Sequence, residues 1–468
     1  VVSVAEMRAA DAAALKSLDE SELIRRAGFA VAVVALRMLG GAYGRRIVVL
    51  AGKGNNGNDG RVAAAFLARR GAVVELLDAA SAPARLGECD LVIDAAYGTG
   101  FSGTYEAPEV DEATAVLAVD IPSGINGDTG EMPGRALRAA RTVTFAALKP
   151  GLLMGDGAVA SGRVNVADIG LPVGETSIGM VEDADVAWLP RRARHAHKWA
   201  SAVAVVAGSP GMEGAACLCA RGAARAGAGM VRLSVPGAGP DAGGPWPDEA
   251  VRLPLAKGEW ADEVLGILGR CRALVIGPGL GRDDATVDAV RRVIARSPVP
   301  VVADADALFA LGDVASARPV IDGEGVDRPV VLTPHDGEYR RLDGHDPGAD
   351  RVAAARRLAD STGAVVLVKG SPTAVAAPGR EGSSGPSVLL AAAGTPALAT
   401  AGTGDVLSGI IGAFLARGLD APRAAALAAH VHGAAGRRGR PEGLVSGDLP
   451  DLVAEWLSEA ETEAFGRG

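Results

Sequence analysis

Twice along its length the chain sets short, uninterrupted apolar runs in alternation with stretches of helical spacing. In the first half the runs are Arg46–Ala51, Val73–Leu77, Leu91–Ala95, Ala115–Asp120 and Thr142–Ala146. A helical stretch over residues 5–40 precedes them, and a helix is expected over Asp59–Arg70. In the second half they are Ala202–Ala207, Met230–Val235, Ala273–Ile276, Val299–Ala303, Val330–Leu332 and Ala364–Val368, with helices from near Gly404 and over 421–437. Apolar runs without polar alternation are strands buried on both faces, and helices between them make each sheet mostly parallel. The fold class is therefore α/β. On such sheets ligands bind beyond the carboxyl ends of the strands, so the residues that end the runs are the ones to inspect.

The chain has 468 residues, enough for two or three domains. The pattern weakens after Asp168, and residues 185–199 (DVAWLPRRARHAHKW) are polar and basic. They read as a linker, with domains over 1–185 and 186–468. Aromatic residues are only 3% against 49% hydrophobic, so Ala, Val, Leu and Ile must build both cores. A net charge of −9 argues against a nucleic-acid partner, which needs a basic face. It leaves room for anion sites built from backbone amides. Cys89, Cys217, Cys219 and Cys271 form no C-x-x-C pair, which points to free thiols and a cytoplasmic location. A zinc site at Cys217 and Cys219 would lack two further ligands. Arg25-Arg26 before the apolar run 27–36 imitates a twin-arginine signal. Arg37 interrupts the run and it is too short to span a membrane, so a packed helix is expected. The Gly- and Pro-rich loop over 236–247 is expected to be mobile.

Three glycine-rich motifs follow strands in the first half. GKGNNGNDG (52–60) opens a helix, where free amides and glycines let the backbone approach a phosphate. It is not a P-loop, because Lys53 stands at the wrong end and no GK[ST] closes it. IDAAYGTGFSG (93–103) carries Asp94 at a strand end, and DIPSGING (120–127) carries Asp120 at another. Either aspartate alone is a capping residue. Three such motifs on one sheet edge make a site, and Asp120 is a candidate acid or base if burial raises its pKa.

The second half carries AGTGDVLSGIIGAFLARG (401–418). Gly402 and Gly404 lead into a helix whose first turn holds Asp405. Amides there can stabilise a transferring phosphoryl group, and the carboxylate can take a proton from a hydroxyl nucleophile. AGSPGMEGAA (207–216), IGPGLG (276–281), VVADADAL (301–308, with Asp304 and Asp306), TPHDGE (333–338, with His335) and VKGSPT (368–373, with Lys369) come before it in that order. A lone histidine such as His335 is usually structural, but within this series it reads as part of a site.

The three motifs of the first half, with the opening stretch MRAADAAALKSLDESELIRRAG, resemble the NAD(P)H-hydrate epimerase family over residues 1–180. The resemblance implies a Rossmann-like three-layer sandwich. It implies that Asn55, Asn56, Gly57, Asn58 and Asp59, with Gly98, Thr99, Gly100, Phe101, Ser102, Gly103 and Thr104, hold the phosphates and ribose of the substrate. Asn56, Asp94 and Ser123 would ligate a potassium ion, their oxygens suiting a hard cation. Asp120 would touch the substrate as the catalytic group. The family usually has glycine where this chain has Asn58, and asparagine tolerates a left-handed backbone better than most residues.

Residues 190–460, including HKWASAVAVVAGS (197–209), resemble the ribokinase-like fold and more closely the ADP-dependent NAD(P)H-hydrate dehydratases. The family's glycine near the start of that segment is replaced here by Ala200 or Ser201. The resemblance implies that Ala215, Gly279, His335 and Asp405 contact the hydrated nicotinamide, with Asp405 as base. Lys369, Gly370, Ser371, Pro372, Thr373 and Gly404 would bind ADP or AMP, with magnesium accompanying the ADP. The expected function is repair of hydrated NADH and NADPH. The first domain would interconvert the R and S hydrates, and the second would dehydrate the S hydrate at the expense of ADP. The expected enzyme is a cytoplasmic homo-oligomer with no nucleic-acid or membrane partner. The alternatives are a ribokinase-like kinase of a vitamin or sugar, which leaves the first half unexplained, and a non-catalytic nucleotide sensor.

Overall fold

The computed structural model describes residues 1–239, 246–379 and 385–465. The chain divides into two compact units, Val1–Ile178 and Gly179–Gly468.

The first unit holds six parallel strands, β1 (Arg46–Ala51), β2 (Val73–Asp78), β3 (Leu91–Ala95), β4 (Ala115–Val119), β5 (Arg141–Phe145) and β6 (Arg163–Ala167). Their spatial order is β2-β1-β3-β4-β5-β6. In register, Val49 of β1 lies opposite Leu76 and Ile93. Strand residues alternate between two cores. Ile47, Val49, Ile93 and Leu117 face the helices Val4–Ala14, Glu20–Leu39 and Asn55–Ala68. Val48, Leu50, Val92 and Val116 face a layer of extended segments around Leu86, Tyr105 and Leu137. This is the expected three-layer α/β sandwich. The edge strand β6 escaped the sequence reading because half of it is exposed and its apolar pattern is broken.

Arg25 and Arg26 sit in the helix Glu20–Leu39, where both bond to Glu22, at 2.7 and 2.8 Å. Ala27, Val31 and Ala35 behind them are buried, so this is the packed helix expected. The helix expected from Asp59 begins four residues earlier, at Asn55, and takes in most of the first glycine-rich motif.

The second unit contributes β7 (Ile178–Met180), β8 (Ala202–Val206), β9 (Met230–Ser234), β10 (Ala250–Arg252), β11 (Ala273–Ile276), β12 (Val301–Ala303), β13 (Val330–Leu332), β14 (Val365–Val368), β15 (Thr373–Ala376) and β16 (Val388–Ala391). They form one sheet in the order β10-β9-β8-β11-β12-β13-β14-β15-β16-β7. The strands from β10 to β14 are parallel, whereas β15 pairs antiparallel with β14 and β16 pairs antiparallel with β15. This antiparallel end was not expected. The turn from β14 into β15 has no helix between its arms to mark it. The helix Thr403–Ala416 is apolar on all sides and buried along nearly its whole length, as a helix in the centre of a core must be.

The segment expected as a linker is only partly one. Asp183–Trp188 forms a 3-10 helix whose Val186, with the following Leu189, is buried in the second core. The boundary expected after residue 185 therefore differs from the division by contacts, which places 179–185 with the second unit. Part of the loop over 236–247, residues 240–245, lies outside the described residues. The four cysteines are free, three of them buried and Cys89 partly so.

Candidate active sites

A cavity of about 610 Å³ opens beyond the carboxyl ends of β1, β3 and β4. Asn55, Asn56, Asp59, Gly98, Thr99, Gly100, Phe101 and Asp120 line it, together with Arg8, Asp11, Glu20 and Leu23 from the two N-terminal helices. Gly57, Asn58, Ser102, Gly103 and Thr104 do not line it. Gly57 has a packing role, since a Cβ there would lie 1.9 Å from the Gly52 carbonyl oxygen. Asn58 is helical, and among the described residues the non-glycine positions with positive φ are Asp120, Ala146 and Ala305. The glycine-to-asparagine change therefore meets no demand for positive φ. Asn58 Oδ1 accepts from Arg61, which also donates to the Gly52 carbonyl at 2.8 Å and so ties the loop to the helix.

Asp120 is held from three directions. Thr99 donates to its Oδ2 through the backbone N–H at 2.8 Å and the hydroxyl at 2.6 Å, and Lys149 Nζ donates to Oδ1 at 2.8 Å. Its φ of 67° is a strained conformation for a residue with a side chain, costing roughly 1–3 kcal/mol. Lys149 is 1% exposed and spends its other two protons on the Thr144 hydroxyl and the Phe145 carbonyl. Burial pushes the Asp120 carboxyl up, but Lys149 and Thr99 outweigh it and hold it below the usual range. The expectation that burial would raise it is thus reversed. The raised carboxyl is Asp59, pushed up to about 8 by burial and then by the charges of Asp120 and Asp11. Asp11 is itself raised by burial and by Asp120. At neutral pH one carboxylate in the cavity is ionised and a second is a proton donor.

Asp94 and Ser123 lie buried under the cavity floor. Ser123 donates to Asp94 through its hydroxyl at 2.6 Å and its N–H at 2.9 Å, and its hydroxyl accepts from the Tyr97 N–H at 2.9 Å. Burial raises the Asp94 carboxyl against these donors. The side-chain amide of Asn56 is buried with neither its oxygen nor its nitrogen hydrogen-bonded. A Cβ on Gly98 would lie 3.2 Å from that oxygen and 3.1 Å from Asp120 Oδ2, so the absence of a side chain at Gly98 keeps the space open.

The second site forms where β12, β13 and β14 end beside the start of the helix Thr403–Ala416. Gly402 caps that helix with φ 89°, a conformation that suits glycine. Asp304, just after β12, is fully buried. It accepts from Lys369 Nζ at 2.6 Å and the Ser408 hydroxyl at 2.7 Å. Burial raises Asp304, but Lys369 outweighs it and holds the carboxyl below the usual range. Asp405, in the first helical turn, is pushed up to about 7 by burial and by the charge of Asp304, with Lys369 opposing. A Cβ on Gly404 would lie 3.4 Å from Lys369 Nζ, so Gly404, Lys369 and Asp304 converge at the helix N-terminus as expected.

The other expected residues are placed as follows. Ala215 and Gly279 adjoin, since a Cβ on Gly279 would lie 3.1 Å from that of Ala215, and Ser209 ties their loops by donating to the Gly279 carbonyl at 2.9 Å. Asp306 anchors the loop through the Gly281 N–H and Arg282. His335 caps the helix Asp336–Asp343, its Nδ1 accepting from the N–H groups of Gly337 and Glu338, and its ring is 60% exposed. Gly370, Ser371, Pro372 and Thr373 form the turn from β14 into β15, where the Thr373 hydroxyl donates to the Gly370 carbonyl at 3.1 Å. Arg351 holds this turn by donating to the Lys369 carbonyl and to Asp336.

A family model described as NAD(P)H-hydrate dehydratase matches residues 203–458, more than half of the chain. A second, described as YjeF-related protein N-terminus, matches 20–84 and 73–151. The bifunctional NAD(P)H-hydrate repair enzyme of Mycobacterium tuberculosis is 41% identical over 455 residues, spanning 91% of this chain and 90% of the relative. That of Salinibacter ruber is 35% identical over 100% of this chain and 97% of its own. The chain belongs to the bifunctional NAD(P)H-hydrate repair enzymes. A ribokinase-like superfamily protein from Enterococcus faecalis has the fold of the second unit, with a TM-score of 0.51 at 19% identity over 62% of this chain and 98% of that one.

Within this repair enzyme the sequence reading passed over three residues that shape the sites. Lys149 lies in the loop beyond β5, not at the strand end itself, and no local pattern marks it. Asp11 reaches the cavity from a helix far away in sequence. His432 is buried, and its Nε2–H donates to the Thr403 carbonyl at 3.0 Å. Burial pushes it down to about 4, so it is neutral and fixes the first turn of the helix that bears Asp405.

Proposed function

We propose that the first unit interconverts the R and S hydrates of NADH and NADPH, and that the second dehydrates the S hydrate with ADP. The observation that carries the first half is the split between ionised Asp120 and protonated Asp59 in one cavity. Epimerisation at the carbinol carbon needs its C–N bond to break and re-form. The hydroxyl loses its proton as the ring nitrogen gains one, the ring opens to an aldehyde, and the nitrogen recloses on the other face with the protons returned. Two carboxyl groups with separated pKa values can serve both transfers. Asp120 is the base and Asp59 the acid, while Lys149 is a positioning residue that keeps Asp120 charged.

The oxygens of Asn56, Asp94 and Ser123 suit a potassium ion. The unpartnered Asn56 amide oxygen and the buried Asp94 carboxylate are what such an ion would satisfy. It would supply a fixed positive charge that orders the floor beneath the substrate.

In the second unit Asp405 accepts the proton of the substrate's 6-hydroxyl as that oxygen attacks the terminal phosphorus of ADP. The P–O bond to AMP breaks, and AMP leaves. The hydroxyl, a poor leaving group, is now a phosphate ester. Loss of phosphate from that carbon and of a proton from its neighbour restores the dihydronicotinamide. Lys369, Gly370, Ser371, Pro372, Thr373 and Gly404 hold the nucleotide, and magnesium accompanies its phosphates to neutralise charge. Ala215, Gly279 and His335 lie on the substrate side. The free cysteines suit a cytoplasmic enzyme. Among the described residues no helix is long and apolar enough to cross a membrane.

The kinase alternative accounts for the second fold but not for the first cavity. The decisive experiment supplies purified protein with ADP and separated R and S hydrates of NADH. Recovery of NADH absorbance from both, with one AMP formed per turnover and spontaneous epimerisation subtracted, is expected. No recovery with ADP, together with ATP consumption and a stable phosphorylated product in a parallel arm supplied with ATP and a vitamin or sugar, would establish the kinase instead.

A further inference from the structure

The sequence motif His197-Lys198 has no place in either site. It precedes β8, whereas the chemistry of the second unit lies beyond the opposite ends of its strands. What it does line is a cavity of about 520 Å³, within the size range of small-molecule sites. Half of its twelve lining residues are basic: Arg191, Arg192, His195, His197, Lys198 and Arg417. None is a carboxylate.

The cavity is built around a buried cation. The Arg417 side chain is 9% exposed, donates to the Pro190 carbonyl at 3.1 Å and meets Glu461 at 3.4 Å. Its Nε is buried with no hydrogen-bond partner. Arg192 donates to the Gly227 carbonyl at 2.6 Å, and both guanidinium groups crowd that residue. A Cβ on Gly227 would lie 3.3 Å from one Arg417 nitrogen and 3.8 Å from one of Arg192. Burial lowers the pKa of Arg417; Glu461 opposes this and the charge of Arg192 adds to it. Glu461, itself 46% exposed, offsets only part of the cost of two cations so close, one of them desolvated, and a further anion joining them would offset the rest.

We propose that this cavity is a second phosphate-binding site, taking the di- or triphosphate group of a small molecule. Guanidinium forks match phosphate oxygens in pairs, and Lys198 adds a mobile point charge. Arg417 follows the same helix whose first turn carries Asp405. A helix of 14 residues is about 21 Å long, so a ligand here cannot overlap the reacting centre. The site is therefore separate from ADP turnover and placed to sense a phosphorylated metabolite.

The test uses the full chain and inorganic pyrophosphate, titrated by calorimetry, with sulfate and ADP as parallel arms. Arg192 and Lys198 are exposed, so Arg192→Glu and Lys198→Glu leave the fold intact, which an unchanged Tm verifies. Pyrophosphate binding should weaken about tenfold or more in each variant, as expected for a lost charge-assisted contact. Sulfate should bind more weakly than pyrophosphate to the parent protein. Basal dehydration with ADP should stay within about twofold of the parent, because neither side chain reaches Asp405. A second equivalent of ADP lost in the variants would identify the phosphates as those of a nucleotide; its absence would leave free polyphosphates as the source. Pyrophosphate binding that is absent, or equal in parent and variants, overturns the proposal.

Discussion

The two active sites use the same electrostatic device with opposite assignments. In each, a lysine in the segment after a strand neutralises an aspartate just beyond a neighbouring strand, Lys149 with Asp120 and Lys369 with Asp304. In each, a second carboxyl on an adjoining helix is driven upward, Asp59 to about 8 and Asp405 to about 7. The difference lies in which carboxyl is the proposed base. In the first unit it is the lysine-paired Asp120, facing the cavity. In the second the paired Asp304 is sealed beneath the site, and the base is the unpaired Asp405. One arrangement can keep a base ionised and an acid protonated at the same pH. The other can hold only a base near its midpoint, poised to take a proton when phosphoryl transfer demands it.

The largest effects should come from removing the two bases. Asp405→Asn should lower ADP-dependent dehydration of the S hydrate by roughly 10²–10⁴, the span of general-base contributions, while ADP binding by calorimetry is retained. Repair of the R hydrate should fall with it, because dehydration comes last. Asp120→Asn should leave S-hydrate turnover intact and abolish only the enzymatic conversion of R to S. If Asp405→Asn keeps parental turnover, the second half of the comparison is wrong.

Next come the lysines. Breaking a buried pair by deleting one partner costs about 3–5 kcal/mol, because the remaining charge is left uncompensated. Lys369→Met should be the more destabilising, since Asp304 has no route to solvent. Asp120 is 14% exposed at the cavity wall and can recover some hydration after Lys149→Met. Urea unfolding monitored separately for each unit checks the order. A smaller loss for Lys369→Met would show that Asp304 finds other support.

Smaller, but diagnostic, is the pH dependence. With Asp405 as the proposed base, dehydration should rise about tenfold per pH unit below its value near 7 and level off above it. With Asp59 as the proposed acid, epimerisation should be level below about 8 and fall above it. Rate profiles on separated hydrates should therefore diverge in opposite directions. Parallel profiles would mean that the two sites do not divide acid and base as assigned.

How much of this could be seen in the sequence follows from how each feature is encoded. The central strands announce themselves as apolar runs, and the glycine-rich ends of those runs mark both sites. Asp120 and Asp405 stand out because each follows a pattern. Lys149 and His432 do not, because a single buried polar residue has no periodicity and its partner is set only by packing. The direction of the Asp120 shift could not be read for the same reason: burial alone argues upward, and the lysine that reverses it lies 29 residues away. Strands β15 and β16 do not register because no helical stretch sets them off from β14 or from each other, and Asp11 enters the cavity only because its helix folds over the sheet.

The smallest effect tests the one position where this chain departs from the expected epimerase motif. If a glycine were required at Asn58, the first unit would be the weaker partner and the symmetry between the sites would be broken. Asn58 has helical backbone and does not line the cavity, and its amide reaches Arg61, which holds the Gly52 carbonyl. Asn58→Gly should therefore remove a minor tether and add backbone freedom inside a helix, lowering stability by up to about 1 kcal/mol. Epimerisation should stay within about twofold of the parent, since the packing that places Asp59 does not depend on this side chain. A gain of tenfold or more would show that asparagine here restrains the loop, and that the chain has kept its dehydratase site in better order than its epimerase site.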